Sequence, residues 1–165
     1  MKYVKKNWFG ILIFVSFVAL GSAYIAEYIF NLEPCKMCLK QRHPYYFLII
    51  ISLIFFLFKK QKKFLLFIFN ELALIYGLFY SLWHVGIEQK IFKGPASCSG
   101  TLSQTNSIQN LKEQITSQSI VNCSEISWVI LGFSAATINS ILLLFILIFN
   151  TIFMINNYYV SNKKI

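Results

Sequence analysis

The sequence predicts an all-α membrane protein: a four-helix transmembrane bundle with two outward loops, the second carrying a short amphipathic surface helix. Three observations predict it. Of 165 residues, 57% are hydrophobic and only 13% charged, whereas a soluble domain carries about 25% charged residues. The charge deficit falls in four apolar blocks separated by polar intervals. The basic residues sit at the ends of those blocks, so the net charge of +9 is topological and does not point to nucleic acid.

The first span is expected at residues 8–30, interrupted only by Ser, Gly and Glu27. A helix rises about 1.5 Å per residue and must cross a hydrocarbon core of about 30 Å, which this block does. Lys2, Lys5 and Lys6 ahead of Gly21-Ser22-Ala23 also fit a cleaved signal peptide. Apolar residues continue through Tyr28, Ile29 and Phe30, however, beyond an ordinary signal core. The second block, Tyr45 to Phe58, is short for a crossing, so its helix must borrow residues upstream. A span over 39–58 draws Arg42 into its first turns, and Pro44 removes one hydrogen bond and bends the axis. A basic turn of Lys59, Lys60, Lys62 and Lys63 precedes a third span over 64–85, and the fourth is expected over 126–149.

Loops are expected over 31–38 and 86–125, within a single membrane domain. In the longer loop Ile108, Leu111 and Ile115 recur at helical steps among polar residues, which suits a helix lying on the membrane surface. Nine of the fifteen basic residues belong to the two termini and the 59–63 turn. Positive residues stay in the cytoplasm, so both loops face outward. In a bacterium that side is the periplasm, where disulfides persist.

All four cysteines lie in the outward loops: Cys35 and Cys38 in the first, Cys98 and Cys123 in the second. Four cysteines allow three pairings, which the sequence leaves open. Arg42, the only arginine, follows Cys38 by one helical turn. A helix starting at Pro34 puts residues 35, 38 and 42 on one face. A thiolate beside a fixed cation and near a helix N-terminus is stabilised and nucleophilic, so a sulfur anion beside the guanidinium is expected. Thiol–disulfide exchange between two cysteine pairs is the reading these features favour. The alternative is a non-enzymatic scaffold with structural disulfides, although a pair three residues apart closes too small a ring to constrain much unfolded chain. A Cys₄ zinc site needs four converging free thiolates, which an oxidising compartment opposes, so no metal is expected. Haem attachment would need histidine where Leu39 stands.

Exchange needs a final acceptor. No glycine-rich nucleotide loop is present, and a lipid-soluble quinone, reaching the Cys38–Arg42 face from the bilayer, remains by elimination. His84, at the outer end of the third span, is either a proton relay or quinone hydrogen-bonder, or an interfacial histidine wetted by headgroup water. Glu27, Glu71 and Glu88, near span ends, are expected to be structural and easily solvated. Asn139 is expected to bond between helices, and Leu39, Lys40 and Gln41 to be filler.

Three segments, PCKMCLKQRHPYY at 34–46, WHVGIEQKIFKGPASC at 83–98 and CSEISWVILGFSAATIN at 123–139, together with four spans, resemble the disulfide bond formation protein B (DsbB) family. That family comprises quinone-dependent disulfide oxidases of the bacterial inner membrane, and its relay is the standing example of a kinetically maintained oxidising periplasm. The resemblance implies that a reduced thioredoxin-fold dithiol oxidase (DsbA-like) attacks Cys98. Cys123 is then the partner cysteine that passes electrons to Cys35. Cys38 becomes the thiolate facing the quinone, ubiquinone or menaquinone, with Arg42 stabilising it and helping to bind the quinone, and His84 near the quinone side. It also implies a multi-pass inner-membrane location with both termini cytoplasmic and both cysteine loops periplasmic.

Overall fold

A computed structural model describes residues 7–57, 63–95, 98, 108–109, 121–126, 128–130 and 132–162. The described residues form four helices: α1, Trp8–Tyr28; α2, Lys36–Leu57; α3, Lys63–Glu88; and α4, Ala135–Asn162. A two-stranded antiparallel ladder, β1 (Val129–Ile130) and β2 (Phe133–Ser134), leads into α4. In the packing order, α1 lies on α2, α2 on α3, and α3 on α4.

The polarity of this bundle is inverted relative to a soluble one. Phe14, Phe17, Phe47, Leu72, Phe79 and Phe145 are exposed on the helix flanks, whereas Ser16, Ser52, Asn70, Ser81 and Asn150 are buried inside. Large apolar side chains on the outside have a favourable environment only in hydrocarbon. Three helical segments, Trp8–Tyr28, Phe64–Glu88 and Ala135–Tyr158, are long and apolar enough to cross a membrane. With these spans and this surface, the chain is a membrane protein.

The helix limits depart from the sequence expectation in informative places. α2 begins at Lys36, upstream of the expected 39, because Cys35 caps it, as described below. α3 continues to Glu88, one turn past the expected 85, and carries His84 inside the helix. The fourth apolar block does not become helical at 126. Instead Gly132 takes a left-handed φ of 84° and turns the chain between β1 and β2. Ser134 Oγ then accepts the Thr137 amide at 3.2 Å, the N-cap bond that starts a helix, and α4 runs to Asn162. The apolar residues at 126–133 thus form the hairpin that leads into the last helix. The expected surface helix falls on Ile108, which is helical and exposed, while Leu111 and Ile115 lie outside the described residues. The lysines of the termini and of most of the 59–63 turn lie outside them too.

Two close approaches set the geometry of the bundle toward the Cys35 end of α2. Gly77 on α3 faces Pro44 on α2: a Cβ on Gly77 would lie 2.7 Å from the proline Cγ, so only glycine lets the helices cross there. Past α3, Lys90 adopts a left-handed φ of 59°, and the amides of Ile91 and Phe92 both donate to the Gly86 carbonyl. This folds the Phe92 ring onto Gly86, where a Cβ would meet it at 2.2 Å. The segment leading to Cys98 therefore doubles back over the end of α3. At the opposite end, the Trp8 indole donates to Asn150 at 3.0 Å, and Asn150 and Thr151 donate to Glu71 at 2.6 and 2.5 Å.

Candidate functional site

Cys35 occupies the N-cap of α2. Its carbonyl accepts the Leu39 amide at 3.1 Å, and its Sγ accepts the Cys38 amide at 3.3 Å. A side chain accepting from the third helical residue is the ordinary capping arrangement, with sulfur here in place of the usual oxygen. The same sulfur lies 3.0 Å from Cys38 Sγ and 3.5 Å from His84 Nε2. Geometry alone lets either sulfur be the donor. Because the Cys38 amide and the imidazole both point at Cys35, the arrangement favours Cys35 as anion and Cys38 as donor. The Cys38 thiol, helped by His84 and the Cys38 amide and opposed by burial, pulls the Cys35 pKa down to about 4. Both cysteines are free thiols.

A chain of side chains from three helices holds His84. The Tyr45 hydroxyl donates to Asn139 Oδ1. Asn139 Nδ2 donates to Gln41 Oε1 at 3.2 Å and to Ser81 Oγ at 3.1 Å. Gln41 Nε2, 2.9 Å from His84 Nδ1, then donates to the ring, which leaves the imidazole proton on Nε2, facing Cys35. Each orientation follows from the one before it, and the tautomer is a consequence of the chain. Glu88 Oε1 also lies 3.9 Å from Nε2, and Ser134 Oγ donates to Glu88 at 2.5 Å.

Cys98 and Cys123 form a disulfide with a Cα separation of 5.1 Å and a sequence separation of 25. It is buried in one cluster with Cys35, Met37 and Ile87, against which Cys38, Tyr80 and Trp83 pack. The fold thus brings all four cysteines to one end of the bundle in two redox states, a disulfide and a dithiol. Beside them lies a cavity of about 270 Å³, lined by Cys35, Cys38, Gln41, Arg42, His84 and, from the hairpin, Ile130, among others.

Arg42 lines this cavity, but it does not hold a sulfur, so the expected thiolate–guanidinium contact is not formed. Its Nη1 donates to Glu27 at 2.6 Å, its Nη2 to the Ala23 carbonyl at 3.5 Å, and its plane lies 4.9 Å from the Tyr24 ring. Sequence spacing puts Arg42 on the Cys38 face, but α1 presents a carboxylate closer than either sulfur. The Cys35 sulfur is steadied instead by hydrogen bonds, from the Cys38 thiol, the His84 imidazole and the Cys38 amide at the helix start. Glu27 is therefore not a solvated end residue, and neither is Glu88, whose side chain is 8% exposed. His84 is 3% exposed, a buried partner and not a headgroup-wetted one. Gln41, expected as filler, is the residue on which His84 rests; a polar side chain on the inner face of an apolar helix was the available signal.

The model of the family "Disulfide bond formation protein DsbB" matches residues 5–153. The chain belongs to the DsbB family. Membership makes it a membrane thiol–disulfide oxidoreductase of disulfide bond formation. A relative described as an uncharacterized protein, from Rickettsia prowazekii (strain Madrid E), is 34% identical over 155 residues, which cover 90% of each chain. No solved structure matches.

Proposed function

We propose that this chain is a protein dithiol:quinone oxidoreductase of a bacterial inner membrane, crossing it four times with both cysteine loops in the periplasm. It takes two electrons from a thioredoxin-fold dithiol of the DsbA type and passes them to a membrane quinone. The observation that carries this reading is the burial of a disulfide and a donor-surrounded dithiol in one cluster beside a cavity.

The partner's thiolate attacks Cys98 Sγ, the Cys98–Cys123 bond breaks, and Cys123 leaves as thiolate. The partner's second sulfur resolves the mixed disulfide, so the partner departs oxidised and Cys98 is released. Cys123 then attacks Cys35 in a Cys35–Cys38 disulfide and expels Cys38 as thiolate. While Cys35 is bonded to Cys123, Cys38 has no anion beside it, and its negative charge is tolerated. Cys98 attacks Cys123, restores the loop disulfide and leaves Cys35 and Cys38 reduced. That final state matches the one described, with Cys98–Cys123 bonded and Cys35 and Cys38 free.

The cavity residues suit a quinone. Leu20, Ala26 and Leu142 supply apolar wall, while Arg42, Gln41 and His84 supply donors at the sulfur end. A bound quinone supplies a two-electron, two-proton acceptor. Cys35, already anionic, and Cys38, which surrenders its proton, would then close their disulfide as two electrons leave, with the acceptor's second proton drawn from water. A membrane scaffold with structural disulfides would have no use for a dithiol held open next to a cavity.

The test is quinone-dependent oxidation of a reduced thioredoxin-like dithiol by the purified chain in lipid discs. Turnover should require quinone, and Cys38→Ser should abolish it. Turnover that survives Cys38→Ser would remove the catalytic reading and favour the scaffold.

A further inference from the structure

We propose that the reduced dithiol is also a binding site for a thiophilic divalent cation such as Zn²⁺, held by Cys35 Sγ, Cys38 Sγ and His84 Nε2. These three donor atoms all lie within 4.8 Å of one another, with the sulfurs 3.0 Å apart and Cys35 Sγ 3.5 Å from Nε2. Zinc binds thiolate at about 2.3 Å and imidazole at about 2.0–2.1 Å with tetrahedral angles, which spaces its ligand atoms at about 3.4–3.8 Å. Small side-chain rotations that part the sulfurs open a position equidistant from all three. Three protein donors leave the fourth tetrahedral position to a bound water.

The donor set selects the ion. Two thiolates and an imidazole favour Zn²⁺ over the oxygen-seeking Mg²⁺ and Ca²⁺. The two sulfur charges neutralise the dication, so the buried site gains no net charge on loading. Binding displaces the thiol protons that remain and moves no electron. Metallation at Nε2 leaves the ring proton on Nδ1, where Gln41 must accept it. Rotating the Gln41 amide presents Oε1 to that proton, and Asn139 rotates in step to keep its bond to Gln41. Gln41 is thus the outer support of the metal-bound histidine.

The site exists in one redox state only, since a Cys35–Cys38 bond leaves no thiolate pair to bind an ion. It rests on side-chain placement and holds whether or not a quinone is the electron acceptor. A metal-loaded dithiol cannot be oxidised or attack a disulfide, so zinc would arrest the chain in its reduced form.

The experiment uses the full chain in lipid discs as Cys98→Ser/Cys123→Ser, in which Cys35 and Cys38 are the only thiols, titrated with Zn²⁺ against a chromophoric chelator. The chain with its loop disulfide intact and its dithiol reduced serves as the second protein. Reduced protein should retain one zinc, Co²⁺ should give the visible bands of a tetrahedral thiolate site, and excess Mg²⁺ should not compete. Gln41→Leu should weaken zinc binding about 10- to 100-fold, and His84→Ala at least as much. Zinc surrendered wholly to the chelator by both reduced proteins, equal retention after Cys35–Cys38 oxidation, or unchanged affinity in His84→Ala would each overturn the proposal.

Discussion

Removing the imidazole from Cys35 tests the site most directly. His84→Ala deletes one of three donors to the sulfur, leaving the Cys38 thiol at 3.0 Å and the Cys38 amide at 3.3 Å. A hydrogen bond to a charged group contributes about 1.5–3 kcal/mol, and one pKa unit corresponds to about 1.4 kcal/mol. The His84 contact, at 3.5 Å, is the longest of the three, which places its share at the lower end. The Cys35 midpoint should therefore rise by about one unit from about 4, to about 5. The assay is the pH dependence of iodoacetamide alkylation at Cys35, located by mass spectrometry, in protein whose loop disulfide is intact. Wild type should alkylate at a constant rate from about pH 6 upward and slow only as pH falls toward 4. A wild-type midpoint in the ordinary thiol range, or an identical midpoint in His84→Ala, would refute the donor arrangement.

Lowering the Cys35 pKa from 9.0 to about 4 makes the dithiol fold more stable wherever the anion exists. That contribution is complete above pH 9 and is lost as pH falls through 4, so melting of the reduced protein, but not of Cys35→Ser, should drop across that window. Arg42→Met leaves Glu27 without its partner at 2.6 Å. It should lower the melting temperature and weaken apparent quinone affinity more than affinity for the protein partner; equal losses would separate Arg42 from the quinone. Glu27→Gln in the same protein should recover part of the stability. Gly77→Ala pushes a methyl against the stiff Pro44 ring and should cost about 1–3 kcal/mol in denaturant unfolding in detergent. Gln41→Leu frees the His84 tautomer and should slow dithiol oxidation while partner binding is unchanged, read from separate quinone and partner titrations.

The apolar blocks were legible because hydrocarbon thickness imposes a length, and three of the four helices lie close to where that length puts them. The start of α4 was not, since hydropathy does not separate a short ladder of Val129, Ile130 and Phe133 from a helix. Only the turn at Gly132 and the cap at Ser134 do so. At the site, Cys35 and Cys38 declared themselves by spacing. The partner of Arg42 did not, because spacing along one helix is silent about which group a neighbouring helix brings, here Glu27 on α1. The Tyr45–Asn139–Gln41–His84 chain links three helices, so no single stretch of sequence contains it. Asn139 could be read as a bonding residue, but its partners could not.

The sulfur anion seated at the mouth of α2 ties backbone motion to electron count. Helix entrances are normally plugged by oxygen from serine or aspartate, groups indifferent to oxidants, whereas this plug is withdrawn whenever Cys35 joins a disulfide. The Cys38 amide should then breathe more freely, and hydrogen–deuterium exchange there should run faster in oxidised chains than in reduced ones. Because Gln41 and Arg42 ride on the following turn, the cavity wall should loosen when Cys35 is oxidised and tighten when it is reduced.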